Sequence, residues 1–202
     1  IILRKTNVIN CWEEDVPVEF GKSTPNGGKY ALLSLKAAVA DLKDKKIDVL
    51  VTAPINKHNM QSDEFKFNGH TEYLAQAVNS PEHLMFLVSE NLRVAVVSEH
   101  IPVKEVAATL SVEKILKKLR LMDRSLKRDF GFRKPKIAVL GLNPHAGDEG
   151  LIGSEEKDMI QPAVKKAFDE GIFVYGPYSA DGFFGSGTYR KFDAVLAMYH
   201  DQ

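Results

Sequence analysis

The sequence predicts a layered α/β domain with a largely parallel sheet, and three observations lead there. Amphipathic stretches of helical period alternate with short apolar runs rich in β-branched residues. Those runs lack the polar alternation of a sheet with one wet face, so they read as strands covered on both sides. Several of them open at once into polar, glycine-bearing loops, which is where open α/β sheets carry their chemistry.

Taken in order, Ile1 to Leu3 and Val16 to Phe20 read as short strands, and Ser23 to Gly28 as a turn. From Lys29 to Asp44 the residues Tyr30, Leu32, Leu33, Leu35, Ala38, Val39 and Leu42 recur near helical spacing. Asp48 to Thr52 reads as a buried strand that Pro54 ends, since proline has no N–H for a ladder. In the polar stretch from Thr52 to Val78, Thr71 is placed to cap a helix that starts with Glu72, Tyr73, Leu74 and Ala75. The free amides and the dipole at such a start favour an anion, so His70 and Thr71 are candidate contacts for a phosphate-bearing substrate.

Met85 to Ser89 and Arg93 to Ser98, separated by Glu90-Asn91, suit a hairpin. Ser111 to Phe130 is a second amphipathic helix capped by Ser111, with Ile115, Leu116, Leu119, Met122 and Leu126 facing inward. Its basic residues, Lys117, Lys118, Arg120, Lys127 and Arg128, read as an ordinary solvated face. Ile137 to Leu140 is a buried strand that breaks at Gly141 into a loop holding Asn143, Pro144 and His145. A third helix runs from Ser154 to Glu170, with Pro162 as its one irregularity and Gly171 as its stop. Ile172 to Tyr175 is a strand, Gly176 to Lys191 a loop, and Asp193 to Tyr199 the last strand.

The 202 residues suffice for one sizeable core or two small ones. Apolar residues make up 44% and charged residues 27%, a balance ordinary for a soluble protein. With 27 basic against 27 acidic residues, no global charge points to nucleic acid or to an acidic membrane surface. A single cysteine, Cys11, excludes an intrachain disulfide and a cysteine-based zinc finger, and it fits a reducing, cytoplasmic setting. No apolar run approaches the roughly 20 residues of a membrane span. Because the chain starts at Ile1 and stops at Gln202 beside a functional-looking loop, it is read as a fragment cut at both ends.

A histidine taken alone is most often a surface or core residue. His100, His145 and His200 differ because each follows an apolar strand, and in a parallel sheet such ends gather on one edge. Three neutral imidazoles with an open coordination position suit a catalytic divalent cation, zinc being the most natural for nitrogen ligands. Glu99 and Asp201, their sequence neighbours, are candidates for orienting the rings or moving protons. The bland alternative is three loop residues that never meet. Asp181, before Gly182, is a candidate acid/base and equally a turn cap. Lys57 can pair with a phosphate or stand solvated. Neither a Rossmann nor a P-loop glycine fingerprint is present.

Five segments carry a family resemblance: VTAPINK (Val51 to Lys57), NGHTEYLA (Asn68 to Ala75), GLNPHAGDEG (Gly141 to Gly150), the turn from Gly176 to Asp181, and DAVLAMYHDQ (Asp193 to Gln202). Together they closely resemble the 4-hydroxythreonine-4-phosphate dehydrogenase family of pyridoxal phosphate biosynthesis, over most of the chain from about Asp48 to Gln202. The resemblance implies a three-layer α/β/α fold like that of isocitrate and isopropylmalate dehydrogenases. It also implies a homodimer with the site shared between subunits. The implied reaction is NAD- or NADP-dependent oxidation of a phosphorylated hydroxy amino acid, followed by loss of carbon dioxide. Carried over by motif, His100, His145 and His200 hold a divalent metal ion (zinc, magnesium or cobalt), one of them reaching across from the partner subunit. His70 and Thr71 contact the substrate, and Asp181 or Asp201 moves protons. The family's early glycine-rich segment and its later basic residues are not in this sequence, so the piece alone is expected to be incomplete for catalysis. Two rival readings share these motifs: a dehydrogenase of a phosphorylated four-carbon sugar acid, and a metal-dependent hydrolase or lyase without nicotinamide.

Overall fold

The computed structural model describes residues 4–67, 69–80 and 82–202. The chain divides into two compact units, Ile1–Glu82 and His83–Gln202, and each is considered by itself. The strand expected at residues 1 to 3 lies outside the described residues.

In the first unit the long helix α1 (Pro25–Lys43) starts earlier than its apolar period suggests. Thr24 caps it, its Oγ1 accepting from the Gly27 amide at 3.1 Å, and Pro25 fits a first turn whose N–H groups have no partner. The expected turn at residues 23 to 28 is therefore the helix start. Gly28 is needed there for closeness: a Cβ on it would stand 1.9 Å from the carbonyl oxygen of Asn59. Leu32, Leu35 and Val39 bury against Met60 and Phe65. Phe65, Phe67 and Tyr73 stack edge-on and tilted at centroid distances of 5.3–5.4 Å, which ties the short helix α2 (His70–Ala77) to this core.

Two expected strands are absent here. Val16 to Phe20 joins no ladder and runs into a turn at Phe20, with Val18 and Phe20 exposed, and Asp48 to Thr52 likewise forms no ladder, with Val51 90% exposed. β-branched residues make a strand only where another edge receives their N–H and C=O groups, and no such edge lies beside these segments among the described residues.

The second unit holds a five-stranded sheet in the order β1-β2-β5-β3-β4. Its strands are β1 (Phe86–Val88), β2 (Arg93–Ser98), β3 (Ile137–Leu140), β4 (Val174–Tyr178) and β5 (Ala194–Tyr199). The β1–β2 hairpin is antiparallel, and every other pairing is parallel. Ala95 pairs with Leu196, and Val139 with the same Leu196 from the other side, so β5 runs down the middle.

Alternate side chains serve two cores. Ala95, Val97, Ile137, Val139, Leu196 and Met198 face one cluster, completed by the helices α4 (Val112–Arg128) and α5 (Gln161–Asp169). Between β2 and α4 the chain forms a 3₁₀ turn, Val103–Glu105, and a single α-helical turn, α3 (Val106–Thr109). Val96, Ala138, Leu140, Val195 and Ala197 face the other cluster with Phe183, from the short helix α6 (Ala180–Gly185). Helical layers thus cover both faces, the α/β/α arrangement expected from the resemblance.

Helix α4 matches its reading closely. The Ser111 hydroxyl accepts from the Lys114 amide at 3.1 Å, and the five inward residues named from sequence are its buried ones. The segment read as one helix from 154 to 170 is a π-helical turn, Glu156–Ile160, running into α5. Pro162 falls in the first turn of α5, where its missing N–H costs nothing. The strand expected at 172–175 is shifted to β4, and the expected loop 176–191 contains α6 and a 3₁₀ turn, Thr188–Lys191. No helix among the described residues is long and apolar enough to cross a membrane.

Leu119 is wholly buried between α4 and the sheet. Leu119→Ala is expected to lower stability by about 2–5 kcal/mol in chemical denaturation. Arg124→Ala on the exposed side of the same helix is expected to change it by no more than about 0.5 kcal/mol.

Candidate active site at the C-terminal edge of the sheet

Strands β2, β5 and β3 are adjacent and parallel, so their C-terminal ends share one edge. His100 follows β2, His200 follows β5 and His145 follows β3. The rings of His100 and His200 lie side by side, centroids 5.6 Å apart and planes tilted by 36°. His200 Nδ1 is 2.8 Å from Asp201 Oδ1. In the tautomer that donates this proton, Nε2 is left with a free lone pair, the form in which imidazole binds a metal.

His145 is carried differently. It begins a run of five consecutive residues, His145 to Glu149, with φ between +42° and +83°. Four of the five are not glycine, and a left-handed turn costs such residues on the order of 1 kcal/mol each. The buried Glu156, 2% exposed, braces this turn from behind. Its Oε1 accepts from the amides of Leu142 and Asn143, both at 2.7 Å, and its Oε2 accepts from Asn143 Nδ2 at 2.9 Å. Gly147 is required by the same contact, because a Cβ there would come 2.6 Å from Glu156 Oε2.

Other side chains tie the strand ends together. Gln202 Oε1 accepts from the Met198 amide at 2.7 Å, and its amide donates to the carbonyl of Gly141, so the turn after β5 is linked to the end of β3. Glu99, beside His100, accepts from Lys118 Nζ at 3.2 Å, and Lys118 also donates to the carbonyl of His83 at 2.9 Å. Lys118 therefore leaves the solvated face assigned to it from sequence; its side chain is 13% exposed. Burial and the nearby Lys118 ammonium hold Lys114 below the usual lysine range. A groove of about 420 Å³ opens beside His200, lined by Leu87, Leu92, Leu140, Phe184 and Ala197.

Asp181 stands in the first turn of α6. The Ser179 hydroxyl, the Gly182 amide and the nearby His145 hold its carboxyl below the usual range, so it is ionised at neutral pH. In the first unit, His70 and Thr71 do open α2, but the cap is Gly69 and no side chain satisfies the first amides. Thr71 is inside the helix, one residue past the start, and is thereby freed from the capping role expected of it. A Cβ on Gly69 would stand 3.9 Å from Lys57 Nζ, so the ammonium lies at the positive end of this helix. That combination suits an anion better than the isolated, solvated Lys57 of the sequence reading.

For a metal ion the donor set is partly assembled. Imidazole nitrogen is the right chemistry, and His100 and His200 are neighbours. Among the described residues no group of three or more His, Cys, Asp or Glu side chains is gathered closely enough to hold a cation. His145 is on the shared edge but not in the pair. Sequence reasoning missed Glu156, Gln202 and Lys118. For Glu156 a signal existed: it stands four residues before Ile160 and seven before Ala163, on the helix's apolar stripe.

Comparison with known proteins gives the same direction. The chain is 53% identical over 199 residues to a 4-hydroxythreonine-4-phosphate dehydrogenase of Bacteroides thetaiotaomicron, covering 98% of this chain and 55% of the relative. It is 46% identical to the protein of that name from a Sulfurihydrogenibium species, covering 93% and 58%. The chain thus spans little more than half the length of these curated relatives. A crystal structure of the Klebsiella pneumoniae 4-hydroxythreonine-4-phosphate dehydrogenase superposes with a TM-score of 0.81 at 34% identity, covering 90% of this chain and 54% of that one. The α/β fold is accordingly of the isocitrate and isopropylmalate dehydrogenase kind. The sequence model of the pyridoxal phosphate biosynthetic protein PdxA matches residues 3–202. With its three histidine-bearing strand ends on one edge and that match along nearly its whole length, this chain belongs to the PdxA family.

Proposed function

We propose that the protein is a dehydrogenase that oxidises the hydroxyl of 4-phosphooxy-L-threonine with NAD or NADP, carbon dioxide being lost from the product, on the route to pyridoxal 5'-phosphate. The observation that carries this reading is the placing of His100, His145 and His200 at the ends of three adjacent parallel strands in a chain of this family. His100, His145 and His200 would hold a divalent cation, zinc, magnesium or cobalt. Two gathered imidazoles and a third standing apart favour a homodimer in which one ligand comes from the other subunit. Held there, such a cation would supply Lewis acidity at the substrate's hydroxyl oxygen, and a bound nicotinamide would supply the hydride acceptor.

The chain's own residues do the rest. Asp201 fixes the His200 ring and its tautomer. Asp201 and the ionised Asp181 are the carboxylates available to take the hydroxyl proton. The first turn of α2, with His70, Thr71 and Lys57, binds the phosphate through amides, dipole and ammonium. The cytoplasm, where NAD and reduced cysteine coexist, is the setting this chemistry suits.

Full-length protein is expected to reduce NAD or NADP when given 4-phosphooxy-L-threonine, and to stop when a chelator is added. Metal-dependent turnover without nicotinamide, or a strong preference for a four-carbon sugar-acid phosphate, would overturn the assignment. His100→Ala and His200→Ala should each weaken metal binding by at least about 100-fold in a competition titration, and Asp201→Asn by about 10–100-fold. Thr71→Val and Lys57→Met should raise KM for the phosphorylated substrate while leaving metal content alone; an unchanged KM would remove α2 from the substrate site.

A further inference from the structure

The proposed function leaves one buried acid without a task. Glu156 is almost wholly enclosed, yet it sits in the first turn after a loop, where a glutamate ordinarily points to water. Its partners are the N–H groups of Leu142 and Asn143 and the Asn143 side-chain amide. These lie immediately before the left-handed run that starts at His145.

Asn143 Nδ2 is shared with Glu155 Oε2 at 2.7 Å, so two successive acids converge on the residue that launches the turn. The opposite side is equally tight. A Cβ on Gly141 would come 3.1 Å from Glu156 Oε1, and one on Gly147 2.6 Å from Oε2. The carboxylate thus fills the concavity of the turn and touches the backbone both before and after His145. It is presented by a π-helical turn, a local widening that is frequent at functional sites. A strained backbone persists only when its surroundings over-determine it, and here Glu156 works beside the backbone bonds from Ala146 N–H to the Asn143 carbonyl and from Ile152 N–H to the Gly147 carbonyl, both at 3.1 Å.

We infer that Glu156 is the positioning residue of His145: it keeps the turn 145–149 wound left-handed and so sets where the third imidazole stands on the sheet edge. The inference rests on the reading of His145 as a metal ligand, but it concerns the ring's placement and not the metal itself. Glu156 touches no substrate and is not a catalytic residue.

The informative variant is Glu156→Gln in the full-length protein. Glutamine has nearly the same size, and its oxygen still accepts from Leu142 and Asn143. Its NH₂ group then faces Asn143 Nδ2, donor against donor, in place of the hydrogen bond seen there at 2.9 Å. Imidazole NMR of metal-free protein, with His145 assigned from the His145→Ala spectrum, should show the His145 ring signals shifted and those of His58 unmoved. Metal affinity should fall by about 10–100-fold and kcat with it, KM for the phosphorylated substrate staying near the wild-type value. His145 signals at their wild-type positions together with unchanged metal affinity would overturn the inference. A loss of melting temperature with those signals unmoved would do the same, marking Glu156 as a plain core residue. If Glu156→Gln does not fold, Asn143→Ala takes its place, since it removes one donor and leaves the carboxylate buried. The two readings fail separately. A wild-type protein that binds no metal and reduces no NAD would end the functional proposal, while the metal-free NMR comparison would still decide the role of Glu156.

Discussion

Everything proposed for this protein depends on the parallel ladder that seats β5 between β2 and β3. Parallel pairing obliges neighbouring strands to end on the same side, so residues 45 and 55 positions apart in the chain are delivered to one edge. The cost is that both faces of the sheet must be covered, and β5 shows it: Ala194 to Met198 are all buried. A core this dry leaves the strand ends as the nearest place where polar chemistry can stand.

Each histidine-bearing end is then held by a different device. After β2, Glu99 is pinned by Lys118. After β5, Asp201 takes the His200 ring, and Gln202 reaches back to Gly141. After β3, Glu156 occupies the inside of a left-handed turn. The shared logic is that each loop takes its geometry from side-chain hydrogen bonds, most of them to a carboxylate. The Gln202 link also joins two of the three ends, so displacement of one is felt by the other.

How much of this could be read in advance depended on how local the cause was. Helix α4 was legible in its cap and its apolar stripe, both set by near neighbours in the chain, although it ends at Arg128, two residues short of the expected Phe130. The central strands were legible from β-branched runs, and so was the idea that three histidines follow them. Asp48 to Thr52 misled because its composition is that of a strand whereas its pairing partner is a non-local matter. Helix α6 was hidden by its two glycines; Phe183 packing on Val195 and Ala197 overrides their poor propensity. The meeting of His100 and His200, with His145 apart, was beyond any pattern in the chain, since strand order decides it.

Lys118 has a practical side. The row of lysines on α4 looks like a good target for the alanine swaps that crystallographers use to thin out floppy surface groups. Lys117 is the more exposed of the two, and Lys118, one position on, is tied to Glu99 and to the His83 carbonyl. Replacing the two together would take from the largely enclosed Glu99 the ammonium that donates to it, and would loosen the very strand end that presents His100.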